Sequence, residues 1–210
     1  MDLKQRILHE SSQMLFAIGP SAMTMDMVAR SCGISKRTLY EQFPDKKSLV
    51  KECLLADVER TGHDLQSIYE HSSNCFMALF KTFYYMRKKM GMITYNFFPE
   101  IRRMYPDLNR MIFTANEHKR VVDMSAVLRE AQQQGLVEQR VNTDMAAFLF
   151  FVTTSSLNGV NQFSEYSLNR LSEFGFTQME VMEGAFVNFL RGVATPKGLE
   201  LIDSYLKKNN

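Results

Sequence analysis

Cysteine is scarce in this chain. Its three copies, Cys32, Cys53 and Cys75, include no CxxC pair and are too few for a paired framework, which excludes a disulfide-stapled scaffold and predicts a reducing, cytoplasmic home. Long apolar runs are lacking as well. The longest, Met145 to Val152 (MAAFLFFV), falls far short of the ~18 to 20 residues of a membrane span, so no membrane partner is expected. Asp2, Lys4 and Arg6 open an amphipathic helix with no apolar segment behind it, so no secretory leader is expected. Charge of one sign is also missing: 25 Lys and Arg against 23 Asp and Glu leave +2, too little for a chain coated in nucleic acid. Catalytic signatures are absent, with no GxSxG, HExxH, P-loop or GxGxxG, and the chain is expected not to be an enzyme. The four histidines are His9, His63, His71 and His118. Only His71 and Cys75, with Glu70 and His63 nearby, suggest a shared helical face; four ligands at structural spacing are missing, so exposed polar groups are the preferred reading and neither metal nor cofactor is expected.

What is present is helical. With 210 residues and 45% hydrophobic content, the chain can bury a real core, apolar positions recur at three and four, and nothing alternates as a strand. A first helix carries Leu3, Ile7, Ser11, Met14, Leu15 and Ile18 on one stripe and closes at Gly19-Pro20. The most specific stretch follows, TMDMVARSCGISKRTLYEQF between Thr24 and Phe43. Thr24 caps a short helix whose inner face is Val28, Ala29 and Cys32, with Asp26 in its first turn. Gly33 then takes the left-handed conformation that ends a helix. Ser35 caps a second helix with Leu39 and Phe43 inward, and Pro44 stops it. Lys36, Arg37, Thr38, Tyr40 and Glu41 are left on the outer face, rich in donors for phosphates and base edges. Helix, glycine corner and helix also occur in ordinary all-α proteins, where an exposed Lys-Arg pair is merely solvated; the order of cap, glycine and polar face favours the DNA-binding motif.

Those features, with Thr24-Met25-Asp26, Ala29, Gly33, Ser35-Lys36, Thr38-Leu39-Tyr40, Phe43, Lys46 and Leu49, resemble the N-terminal domain of the TetR/AcrR family of bacterial transcriptional regulators. The resemblance is close over the first fifty residues and holds in outline beyond. Arg37 departs from the glycine or small residue usual there, as do Ser11, Met14 and Leu15 from Ala, Leu and Phe. The resemblance implies an all-α fold: a three-helix helix-turn-helix domain over 1–50 and a helical bundle for effector binding and dimerisation over 51–210. A fourth helix, capped by Asp45, would link the two. Residues 1–50 hold seven basic side chains against five acidic ones, while the remainder balances at eighteen each, so the small surplus lies at the DNA end. Lys36, Tyr40 and Lys46 are expected on phosphate, Arg37 and Thr38 on bases, with Thr24 and Ser35 completing the DNA-binding set.

The body reads as helices over 74–90, 93–104, a long one from Pro106 to Gln134 ended by Gly135, one from Asn142-Thr143, and one opened by the Thr177-to-Glu180 capping box. Residues 158–175 read as helix end and loop. Ten of the 24 aromatics fall between Phe76 and Phe113, an ordinary core or a mostly apolar effector cavity. The resemblance favours the cavity, with Phe80, Phe83, Tyr84, Tyr95, Phe98 and Phe113 as its candidate lining. Arg87-Lys88-Lys89 and Arg102-Arg103 are read as solvated, or as an attraction for an anionic effector. The apolar run demands cover on both faces. By resemblance, helices 143–160 and 177–195 pair with their symmetry mates in a homodimer, with Met182, Phe186, Phe189, Leu190 and Val193 on one flank and Gly184 and Gly192 on another; burial within one subunit is the alternative. The expected function is repression at a pseudo-palindromic double-stranded operator, relieved by a small, mostly apolar effector. The alternative is a helical ligand-binding or partner-binding protein without operator binding. The operator, the effector's identity and the sign of regulation are not legible in the sequence.

Overall fold

The computed structural model describes residues 2–114, 117–157 and 172–209. The described residues form α1 (Leu3–Ala22), α2 (Met25–Ser31), α3 (Lys36–Gln42), α4 (Lys46–Glu70), α5 (Cys75–Met90), α6 (Phe97–Met104), α7 (Pro106–Asn109), α8 (Glu117–Gln133), α9 (Thr143–Leu157), α10 (Gln178–Val193) and α11 (Pro196–Asn209). A π-helical stretch follows α7 at Arg110–Thr114, and a 3-10 turn covers Ser172–Phe174. They contain no strand, only one isolated bridge between Val137 and Ala194. The fold is all-α, as the periodicity predicts.

The chain divides into two compact units, Met1–Ser67 with Tyr85–Asn116, and Ile68–Tyr84 with Glu117–Asn210. The first has a core of Ile7, Leu15, Met23, Val28, Leu39, Phe43, Leu49, Cys53, Phe97 and Ile101. The second is built around Phe76, Phe80, Leu128, Leu136, Phe186, Leu190 and Ile202.

Local chemistry explains the boundaries. Asp2 and Gln5 form a capping box on α1, the Gln5 N–H donating to Asp2 Oδ1 at 2.7 Å. The buried stripe of α1 runs Ile7, Ser11, Leu15, Gly19 in steps of four, so Ile18 stands a step of helical rotation off it and is 40% exposed, against expectation. Gly19, at φ 81°, interrupts the helix, and a further turn of chain continues to Ala22. Its missing Cβ matters because one built there would meet Glu100 Oε2 at 2.9 Å, the oxygen that accepts the Ser21 N–H at 2.8 Å. α6 starts at Phe97 rather than near Ile93, because the Thr94 N–H is drawn away to Phe16 O at 2.8 Å. The long helix expected from Pro106 to Gln134 keeps α geometry only to Asn109, then widens into the π turn before α8; Leu108 and Ile112 still reach the first core. Asn142 caps α9, its Oδ1 accepting the Met145 N–H at 3.0 Å, and Thr177 and Glu180 form the predicted capping box on α10. Most of the expected 158–175 loop, and the last three residues of the expected 143–160 helix, lie outside the described residues.

Ser11 Oγ is fully buried in the first unit without a hydrogen-bond partner. An unsatisfied buried hydroxyl costs about 1–3 kcal/mol. Ser11→Ala is expected to raise stability within that range, read as a higher urea midpoint at unchanged slope; an equal or lower midpoint would show that the hydroxyl is satisfied.

Candidate nucleic-acid interface

The corner between α2 and α3 is a complete Schellman turn. Gly33 adopts φ 62°, its N–H donates to Arg30 O at 3.0 Å, and the Ile34 N–H donates to Ala29 O at 3.0 Å. Ile34 then packs on the core that holds Val28, Ala29, Leu39 and Phe43. Thr24 Oγ1 accepts the Met27 N–H at 3.2 Å and Ser35 Oγ accepts the Thr38 N–H at 3.1 Å, so both helices start where the sequence places their caps. The phenyl ring of Phe43 carries the Lys4 ammonium 5.5 Å above its centre, and Lys4 also pairs with Glu52 at 2.7 Å. Arg6 donates to Cys32 O at 3.2 Å, fastening α1 to the end of α2.

With Leu39 and Phe43 turned inward, α3 presents Lys36, Arg37 and Tyr40 to solvent. The Arg37 side chain is 90% exposed and Tyr40 is 49% exposed. Lys36 pairs with Asp26 at 2.5 Å and Arg37 with Glu41 at 3.1 Å. Such exposed pairs are worth ~0–1 kcal/mol, so breaking them costs little. Thr38 Oγ1 lies 2.9 Å from Ser35 Oγ, within the cap. Asp45 caps α4 by accepting the Ser48 N–H at 2.7 Å, a bond that holds its carboxyl below the usual range. Lys46, in the first turn of α4, is half-buried; burial lowers its pKa and nearby Glu100 opposes the shift.

The six aromatics expected to line one cavity are divided between the two units. Phe80, Phe83 and Tyr84 belong to the second unit, where Phe80 stacks on Tyr205 at 4.2 Å, Phe83 on Phe186 at 4.4 Å, and the Tyr84 hydroxyl donates to Glu183 at 2.5 Å. Phe98 and Phe113 meet edge to face at 5.5 Å in the first unit. Tyr95, in the turns between α5 and α6, is 67% exposed. His71 and Cys75 do not share a helix, since α4 ends at Glu70 and α5 begins at Cys75. No metal-binding cluster occurs among the described residues, and none of their helices is long and apolar enough to cross a membrane.

Sequence reasoning missed a pocket of 210 Å³ in the first unit, lined by Phe16, Asp57, Arg60, Tyr85, Lys89, Met92 and Ile93. Lys89, read as solvated, is only 16% exposed and pairs with Asp57 at 2.6 Å. The partners are 32 residues apart on different helices, so no local spacing signals them.

An N-terminal helix-turn-helix on an all-helical chain defines the fold class. Residues 7–53 match the family model of bacterial regulatory proteins of the tetR family. The chain is also similar in structure to a TetR family transcriptional regulator from Agrobacterium tumefaciens (14% identity, 92% of this chain and 98% of that one, TM-score 0.69). A transcriptional regulator from Cytophaga hutchinsonii (16% identity, 92% and 100%, TM-score 0.68) and the ketosteroid transcriptional regulator KstR2 of Mycobacterium tuberculosis (17% identity, 92% and 96%, TM-score 0.56) align similarly. No curated protein matches the chain in sequence. The family match is confined to residues 7–53, and over most of its length the chain shares the fold of these solved regulators.

All three thiols are buried. Burial raises the pKa of each, that of Cys53 to about 12, which keeps them protonated and poor as nucleophiles or metal ligands. A folded-state pKa above the ordinary 9.0 contributes stability below that value and loses it as pH rises from there towards 12. Unfolding free energy is therefore expected to fall as pH rises from the ordinary thiol value of 9.0 towards about 12, and Cys53→Ala to make that slope shallower; an unchanged slope would assign it to other groups.

Proposed function

We propose that this protein is a sequence-specific transcriptional regulator, a repressor that leaves its operator when a small, mostly apolar effector binds within the C-terminal domain over 51–210. The observation that carries the reading is the outer face of α3. Its cations are exposed, held only by weak surface pairs, and fixed in direction by the Gly33 turn and by Leu39 and Phe43 at 0% exposure. Lys36, Tyr40 and Lys46 take phosphates, Arg37 and Thr38 read bases, and the Thr24 and Ser35 hydroxyls, already ordered as caps, border the contact. Phe80, Phe83, Tyr84, Tyr95, Phe98 and Phe113 remain the candidates for effector contact. The cytoplasm is the proposed home, where the thiols stay reduced.

The operator contact is doubled by a homodimer. On α9, Met145, Phe148, Leu149 and Val152 fall at i, i+3, i+4 and i+7 and are between 44% and 61% exposed. Burying a Phe or Leu side chain is worth ~1.5–3 kcal/mol, which favours a second copy as cover. On α10, Phe186, Leu190 and Val193 are spent on the chain's own core, so the flank left for a partner is that of Gly184 and Gly192, where an added Cβ meets nothing. Two recognition helices then enter successive major grooves roughly 34–36 Å apart.

Fluorescence anisotropy against DNA upstream of the reading frame tests the proposal. Salt-dependent, sequence-selective binding is expected, and its absence favours a ligand-binding or partner-binding helical protein without an operator. Arg37→Ala is expected to cost ~1–3 kcal/mol and to blur sequence preference; an equal loss on all sequences would place Arg37 on phosphate. Phe148→Glu is expected to yield a monomer in sedimentation with weakened operator binding, whereas a persisting dimer would move the interface off α9.

A further inference from the structure

The pocket of the first unit has two chemically distinct walls. Phe16 from α1 with Met92 and Ile93 from the turns after α5 form an apolar side. Opposite them stand Asp57 and Arg60 of α4 and Tyr85 and Lys89 of α5. Asp57 is 12% exposed and both its oxygens are occupied, Oδ1 by Arg60 at 2.7 Å and Oδ2 by Lys89 at 2.6 Å. Lys89 also donates to Thr61 Oγ1. The Tyr85 hydroxyl donates to Asp64, outside the lining, at 2.6 Å, and burial together with that carboxylate pushes its pKa up to about 12, so it remains a neutral donor.

The lining therefore holds two cations against one carboxylate whose oxygens are both engaged. A further cation would meet the like charge of both Arg60 and Lys89 there. An anion meets the guanidinium of Arg60, whose side chain is 58% exposed and whose planar fork carries five N–H donors, one of them directed at Asp57. Met92, 63% exposed, stands at the same rim, while Lys89 and Asp57 are deeper. The volume of 210 Å³ is below the ~300–1,000 Å³ of drug-sized sites, which limits the occupant to a head group and a short tail.

We infer that this pocket is a binding site for a small monocarboxylate with a short apolar tail, its head on the Arg60 fork and its tail against Phe16, Met92 and Ile93. The site is distinct from the aromatic groups proposed for effector contact and does not rest on the operator reading. Its walls are joined at the bond from the Thr94 N–H to Phe16 O, and Phe16 belongs to the helix on which α2 packs. An occupant touches the scaffold of the helix-turn-helix itself.

The test uses the full chain with 13C-methyl-labelled methionine, the Met92 signal assigned by Met92→Leu, and needs no DNA. Hexanoate is expected to shift the Met92 methyl saturably, while hexan-1-ol and hexylamine give no saturable shift. Arg60→Gln is expected to weaken hexanoate by at least about tenfold, the loss of a charged hydrogen bond, with the remaining methyl signals unmoved. Equal shifts from the alcohol or the amine, a hexanoate shift that does not saturate, or an unchanged affinity in Arg60→Gln would each overturn the inference. The alcohol and amine comparisons are made on the unmodified protein, so the result stands even if the substitution disturbs folding.

Discussion

A residue with a side chain is strained at φ 62°, and the direction of α3 depends on Gly33 adopting that angle. The turn lets the Gly33 and Ile34 N–H groups close on the Arg30 and Ala29 carbonyls at the end of α2, and α3 begins at Lys36 under its Ser35 cap. Leu39 and Phe43 can then point inward together, and Lys36, Arg37 and Tyr40 have nowhere to go but outward. This outward cationic face is thus produced by one backbone conformation and two buried side chains, rather than by any strong contact among the cations.

Charge is handled differently at the surface and inside. Asp26 and Glu41 hold Lys36 and Arg37 in pairs that solvent weakens, which orders the side chains without committing them. Asp57 and Lys89 are withdrawn from water, where loss of one partner leaves the other costly to bury. The first arrangement suits exchange with a ligand of the opposite sign, and the second suits a persistent wall. The buried thiols extend the same logic, since burial keeps them protonated.

How much could be read in advance follows from the range of each interaction. Caps and the glycine corner act over three or four residues, so Thr24, Gly33, Ser35, Asp45 and Thr177 were legible as letters. The inner faces of α2 and α3 followed from helical period. The stripe on α1 was legible except at Ile18, where a step of four and a step of three give different faces and the packed core decides. The start of α6 was not legible, because a carbonyl on α1 draws Thr94 out of the helix from 78 residues away in the chain. The division of the aromatics between cores was not legible for a related reason: α5 carries Phe80, Phe83 and Tyr84 to one core, whereas Phe98 and Phe113 pack in another.

By itself the sequence determined the helical class, the helix-turn-helix and the residues on its outer face, because each rests on local hydrogen bonds and a 3.6-residue period. Only the tertiary structure decided that Lys89 is a buried partner of Asp57, that Arg60 and Phe16 share a pocket, and that Met145, Phe148, Leu149 and Val152 stand exposed together while Phe186 and Leu190 do not. Those facts depend on which helices meet, and the energy that selects the meeting is spread over a whole core rather than written at any few neighbouring positions.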